Sequence, residues 1–205
     1  DGTFGPERNM TRSEAAAIFA RLLADKNGDN ISPVAKTKFS DVPAYAWYSG
    51  YVKYLNNNGV TYGHSKTIFA PDEQITRAEF TTMAVRFFDA YGDGDAEIME
   101  QFKSFDDVSD GYWAAEYIKA AAKHGWITGY GDGSFRADRQ ITRAEVVTIV
   151  NRLLGREADL DYVSDNLRKL NTFPDVSRRY WAYSDILEAA NTHNAILGTE
   201  ESWYK

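Results

Sequence analysis

Three arginines stand inside the same short motif, once in each third of the chain. They are Arg12, Arg77 and Arg143, and each follows a threonine and lies two residues before a glutamate. The Thr and Glu form a capping box, in which each side chain accepts a hydrogen bond from the backbone N–H of the other residue. The helix dipole disfavours a cation in the first turn. Because the arginine recurs in spite of this cost, we expect it to meet an anion beside each helix start.

A salt bridge is the alternative role for these arginines. An acid lies four residues before each Thr, at Glu7, Asp72 and Asp138. An exposed bridge of this kind contributes only about 0–1 kcal/mol, and a lysine would serve equally well. Arginine differs from lysine in giving planar, bidentate contacts to a carboxylate. The spacing by itself leaves both interpretations open.

Two sequence elements alternate along the chain and must position these arginines. In the first, a phenylalanine precedes each capping Thr by seven residues, at Phe4, Phe69 and Phe135. In the second, Phe-x-Asp-Val is followed by a Trp eight residues after its Phe, and an apolar pattern of helical period comes next. The aspartates are Asp41, Asp107 and Asp175, and the tryptophans are Trp47, Trp113 and Trp181. Each Trp could be packed in the core or could offer its face to a sugar ring.

The capping threonines lie 65 and 66 positions apart, which makes the chain a repeat protein. It reads as a half-repeat at 1–38, full repeats at 39–104 and 105–172, and a half-repeat at 173–205. An extra helix is predicted near 160–170. A half-repeat alone has too small an apolar face to be stable. We therefore predict one mostly α domain over 1–205 with short β pieces only, in which three units close around a pseudo-threefold axis.

Composition excludes several classes of function. The net charge of −7 on 205 residues argues against a nucleic-acid or acidic-membrane binder, and no apolar run is long enough to span a membrane. There is no cysteine, which excludes disulfides and thiolate metal sites. No catalytic motif is present and the acidic stretches lack calcium-loop spacing, so we expect no enzyme activity, no metal and no cofactor.

The assembled pattern resembles a trio of S-layer homology domains. The motifs Phe105-Asp106-Asp107-Val108, Gly129-Tyr130-Gly131-Asp132-Gly133-Ser134-Phe135 and Thr142-Arg143-Ala144-Glu145 carry the resemblance most completely. The second copy departs from it at Gly63-His64-Ser65-Lys66, where a Gly-Tyr-x-Asp-Gly turn is usual. The resemblance covers nearly the whole chain apart from the segments between repeats.

The resemblance implies a three-pronged spindle that anchors a bacterial surface protein to the cell wall from outside the cell. The partner it implies is an anionic polysaccharide joined to peptidoglycan, often pyruvylated, and the cargo would lie upstream in the same polypeptide. Site residues carried over by motif position are Arg12, Arg77, Arg143, Trp47, Trp113, Trp181, Asp41, Asp107, Asp175, Asp132 and Gly133. The alternative is a protein–protein assembly module of a surface layer that binds no glycan.

Overall fold

A computed structural model describes residues 2–92, 104–191, 193–194 and 202–203 of the chain. Within these residues there are seven α-helices, one 3-10 turn and a two-stranded antiparallel sheet. The mostly α class predicted from the sequence is confirmed. The chain divides into two compact units, Asn9–Ile141 and the combination of Asp1–Arg8 with Thr142–Lys205. The single closed domain and its pseudo-threefold axis stay predictions.

The unit Asn9–Ile141 contains four helices that pack in two pairs. Their bounds are α1 Arg12–Asn27, α2 Ser49–Asn57, α3 Arg77–Tyr91 and α4 Ala115–Lys123. Helix α1 packs on α2, α3 packs on α4, and the two capped helices α1 and α3 also pack on each other. The ring of Phe19 lies 5.1 Å from the rings of both Phe80 and Phe87, so aromatic packing joins α1 to α3.

The second unit repeats this pairing once. Its helices are α5 Arg143–Leu153, α6 Leu160–Asn166 and α7 Tyr183–Ala190, with a 3-10 turn at Leu167–Lys169 and strands β1 His193–Asn194 and β2 Ser202–Trp203. Helix α5 packs on α7, and Ala144, Ala182 and Ile186 form a core cluster against which Phe4 packs. The N-terminal residues therefore belong to the core of this unit.

All three capping boxes form as the sequence predicts. The threonine hydroxyls accept from the backbone N–H of Glu14, Glu79 and Glu145 at 3.2–3.3 Å, and each Glu carboxylate accepts from the N–H of its Thr. The two amides before each Glu are also satisfied within the chain. In α1, the N–H groups of Arg12 and Ser13 donate to the carbonyls of Glu73 and Pro71, and α3 and α5 repeat this arrangement.

These backbone contacts limit how an anion could be bound at the helix starts. The first three amides of each capped helix already have acceptors, so they are not free to bind an anion. A ligand near these helix starts must be recognised by side chains. The unfavourable position of each arginine in the first turn is offset by a hydrogen bond from its guanidinium to a phenylalanine carbonyl.

Residues just before the capping threonines form a closed ring of backbone hydrogen bonds. Met10 donates to Ile141, Ile141 donates to Ile75, and Ile75 donates to Met10, at 3.1, 3.1 and 2.9 Å. All three side chains are buried. The ring fixes the spatial relation of three segments that are about 65 residues apart in sequence.

None of the helices in the described part of the chain combines the length and the hydrophobicity that a membrane span requires.

Candidate functional site

Arg12 lies at the first position of α1, and its guanidinium is anchored on two sides. Its Nε donates to the carbonyl of Phe69 at 2.8 Å, and its Nη1 lies 2.9 Å from Oε1 of Glu79. The Cζ atom lies 5.2 Å from the centre of the Phe69 ring. Only 4% of Arg12 is exposed. These contacts use two of the five guanidinium N–H groups and hold the cation in one orientation.

The other two motif arginines have the same anchor. Arg77 donates from Nε to the Phe135 carbonyl at 2.8 Å, and Arg143 donates to the Phe4 carbonyl at 2.9 Å. Both Cζ atoms lie 4.6 Å from the ring of that phenylalanine. In the last case the turn comes from the N-terminal residues, which supply the contact that the third capped helix would otherwise lack.

Two of the three acids suggested as salt-bridge partners have a different role in the described contacts. Glu7 and Asp138 accept from the hydroxyls of Tyr180 and Tyr112, at 2.5 and 2.6 Å. Burial, and to a smaller extent these hydrogen bonds, raise the pKa of both tyrosines. The pKa of Tyr112 rises to about 12. For Arg12 the ionic partner is Glu79, a capping-box residue from the next repeat.

The three motif aspartates hold the aromatic turns. Asp41 accepts from the backbone N–H groups of Phe69 and Ala70, and Asp107 and Asp175 do the same for the equivalent pairs. The second residue of each pair has a positive φ, 60° at Ala70, 58° at Arg136 and 67° at Gly5. Donation from the backbone of Phe4, and then of Gly5, lowers the pKa of Asp175. These carboxylates therefore stabilise a left-handed turn that presents the Phe carbonyl to the arginine.

A groove of about 320 Å³ opens beside Arg12, within the unit Asn9–Ile141. Its charged lining residues are Arg12, Glu79 and Arg86, and its ring-bearing lining residues are Tyr62, His64 and Trp113. Thr82 also lines the groove, and its buried hydroxyl has no hydrogen-bond partner among the described residues. Two guanidinium groups against one carboxylate give the groove a local positive charge on a chain whose net charge is −7.

The motif tryptophans are exposed, so core packing is the wrong interpretation of their recurrence. Trp47, Trp113 and Trp181 are 57%, 58% and 58% exposed. Each lies two positions before the first residue of the helix that follows it, α2, α4 or α7. Of the three, Trp113 lines the groove beside Arg12. An exposed indole beside a cation can stack on a sugar ring while the cation binds an acidic substituent.

Arg86 is a second cation of the groove and was not among the site residues predicted from the sequence. Its Nε and Nη2 donate to the Tyr117 hydroxyl at 3.2 and 3.0 Å, and its Cζ lies 4.8 Å from the Tyr62 ring and 4.9 Å from the Tyr117 ring. The guanidinium is thus held between two tyrosines. The signal in the sequence was the recurrence of an arginine nine residues after each motif arginine, at Arg21, Arg86 and Arg152.

Asp132 and Gly133 lie in a turn outside this groove. The Asp132 carboxylate accepts from the Ser134 hydroxyl and backbone and from Arg136, and these contacts lower its pKa, with the Ser134 hydroxyl the largest cause. Gly133 has a φ of 86°, which favours glycine. Both residues shape the turn that carries the Phe135 carbonyl to Arg77.

The fold and the groove define a helical repeat module with a positively charged groove that aromatic side chains line. The chain matches the S-layer homology domain over residues 1–16, 38–81 and 104–147, about half of its length. It belongs to the S-layer homology domain family, and the resemblance found in the sequence is confirmed.

Three relatives illustrate the setting in which such chains occur. The chain is 36% identical to cell surface glycoprotein 1 and 37% identical to the cellulosome-anchoring protein, both of Acetivibrio thermocellus, over 98% and 94% of its own length. It is 30% identical to S-layer protein EA1 of Bacillus anthracis over 80% of its length. It spans 8%, 41% and 18% of these three relatives, respectively.

Proposed function

We propose that the chain is a non-catalytic module that anchors a bacterial surface protein to the cell wall by binding an anionic wall polysaccharide. The observation that carries the proposal is the groove in which Arg12 and Arg86 lie beside the exposed indole of Trp113. A carboxylate-bearing sugar, such as a pyruvylated N-acetylmannosamine, matches both features. Its carboxylate would meet the guanidinium groups and its ring would stack on the indole.

The setting of the relatives supports this assignment. One is named as an anchoring protein, another as a cell surface glycoprotein and a third as an S-layer protein, and the chain covers a limited part of each. A shared module on otherwise different surface proteins is expected to serve retention at the cell surface. Cargo in the same polypeptide and extracellular placement at the wall are part of the proposal.

Among the three equivalent positions, we assign binding to the Arg12 groove. It is enclosed by one motif arginine, one motif tryptophan and the Arg86 guanidinium, all within one compact unit. Trp47 and Trp181 provide matched controls, because they are equally exposed at equivalent sequence positions but are not among the lining residues described for this groove.

Calorimetric titration with a pyruvylated wall disaccharide tests the assignment. Trp113→Ala should weaken binding about tenfold or more, the usual effect of removing a central aromatic contact. Trp47→Ala and Trp181→Ala should change the affinity less than threefold. Equal losses in all three variants would show that binding is shared among equivalent sites and would refute the assignment to one groove.

Cosedimentation with purified sacculi tests the function itself. Wild-type protein should sediment with intact walls and remain in solution when the wall polysaccharide has been removed by acid. Equal binding to stripped and intact walls would refute glycan anchoring. Concentration-dependent self-association that added wall glycan does not change would favour a surface-layer assembly module instead.

A further inference from the structure

His64 and Tyr130 occupy the same place on two equivalent turns. The backbone N–H of His64 donates to the Ile68 carbonyl, and that of Tyr130 donates to the Ser134 carbonyl, each at 2.8 Å. This hydrogen bond is therefore retained where the sequence departs from Gly-Tyr-x-Asp-Gly. The side chain that stands beside the motif arginine differs between the two turns.

The two side chains have different surroundings. The Tyr130 ring lies 4.9 Å from Cζ of Arg77 and 4.1 Å from Cζ of Arg136, and its hydroxyl accepts from Nη2 of Arg139. Tyr130 is thus held by cations. Beside His64, the residues at the positions of Arg136 and Arg139 are Ala70 and Glu73. Two of the three cations that hold the tyrosine are therefore replaced together with the tyrosine itself.

His64 instead faces the groove beside Arg12. Its side chain is 55% exposed, and its Nδ1 lies 3.9 Å from Oε1 of Glu79, the oxygen that pairs with Nη1 of Arg12. The other charged lining residue is Arg86 on α3, and Tyr62 and Trp113 are the remaining rings. Lys66 lies two residues further along the same turn and is exposed.

We propose that His64 is a specificity-determining residue of this groove and makes carboxylate recognition proton-dependent. The inference rests on the function proposed above. An imidazole gains a positive charge between pH 8 and pH 5. A charged His64 would raise the positive charge of the groove and would compete with Arg12 for Glu79. Both effects favour a ligand carboxylate on Arg12, so acidic pH should tighten the binding of a carboxylate-bearing sugar.

The test is calorimetric titration of the full chain with the pyruvylated disaccharide at pH 5.5 and pH 8.0. Wild-type protein should bind about three- to fivefold more tightly at pH 5.5, the effect expected from one exposed charge pair. His64→Gln should bind equally at the two pH values. His124→Gln is the control, because His124 stacks on Trp126 and is not among the described lining residues.

The outcomes separate the two proposals. Wild-type binding that does not change with pH, or a pH response that persists in His64→Gln, would overturn the role of His64 and leave glycan binding intact. A pH response that is lost in His124→Gln but not in His64→Gln would overturn it in the same way. Failure of wild type to bind the disaccharide at either pH would overturn both proposals. A methyl ester of the disaccharide should show no pH response, because it lacks the carboxylate.

Discussion

Replacement of Arg12 by lysine should destabilise the protein even though it keeps the positive charge. Lysine can still pair with Glu79, but it loses the Nε–H donated to the Phe69 carbonyl at 2.8 Å and the planar group over the Phe69 ring. A hydrogen bond from a charged group contributes about 1.5–3 kcal/mol, and a cation–π contact contributes about 0.5–2 kcal/mol. Since such contributions are not additive, we expect a loss of about 2–4 kcal/mol in the free energy of unfolding.

Urea unfolding followed by Trp fluorescence measures this loss. With a slope of about 2 kcal/mol per molar, the midpoint of Arg12→Lys should fall by about 1–2 M. Arg21→Lys is the matched control, because Arg21 makes its described hydrogen bonds to the exposed Tyr51 hydroxyl and should lose less than about 1 kcal/mol. If the two variants unfold at the same urea concentration, the buried anchor of Arg12 does not stabilise the fold.

Two further predictions concern a turn and a tyrosine. Gly63→Ala should lower the free energy of unfolding by about 2–5 kcal/mol, because φ is 88° and a Cβ would lie 2.3 Å from Cε1 of Phe39. Gly28→Ala, with φ 69° and nothing within 4 Å of the added Cβ, should lower it by about 1–2 kcal/mol in the same urea assay. Equal costs would contradict the steric argument. Tyr112 has its pKa raised to about 12 from 10.0, so its stabilising contribution is complete below pH 10 and is lost as pH rises through 12. Wild type should therefore lose stability relative to Tyr112→Phe over that range, and parallel pH profiles for the two proteins would contradict this reasoning.

Arg12 is both a structural anchor and a lining residue of the groove. Nε and one Nη1 hydrogen of Arg12 hold neighbouring turns and helices together, while the side chain also lines the groove. An alanine substitution at Arg12 would therefore mix a loss of folding with a loss of binding. Trp113 is the better probe of function, because its exposed ring can be removed without disturbing a buried contact.

Much of the site was predictable because it depends on local sequence. The capping boxes at Thr11, Thr76 and Thr142 follow from a Thr and a Glu at fixed spacing, and they form at all three positions. Glu79 could not be recognised as the partner of Arg12, because the two residues are 67 positions apart and the capping role already accounted for the glutamate. The exposure of Trp113 was equally open, since a recurring Trp fits a core and a binding surface alike.

The sequence by itself determined the repeat, the helical class and the starts of the capped helices. It also showed that an arginine recurs at the first position of each capped helix. These features depend on spacing within a few residues, which the chain carries wherever it folds. Only the tertiary structure decided which neighbour each arginine meets. Arg12 contacts the Phe69 turn and Glu79 because α1 packs on α3, and that packing depends on buried surfaces from different repeats. The groove lies where those elements meet. Arg86, Trp113 and His64 line it together, and this could be recognised only from the tertiary structure.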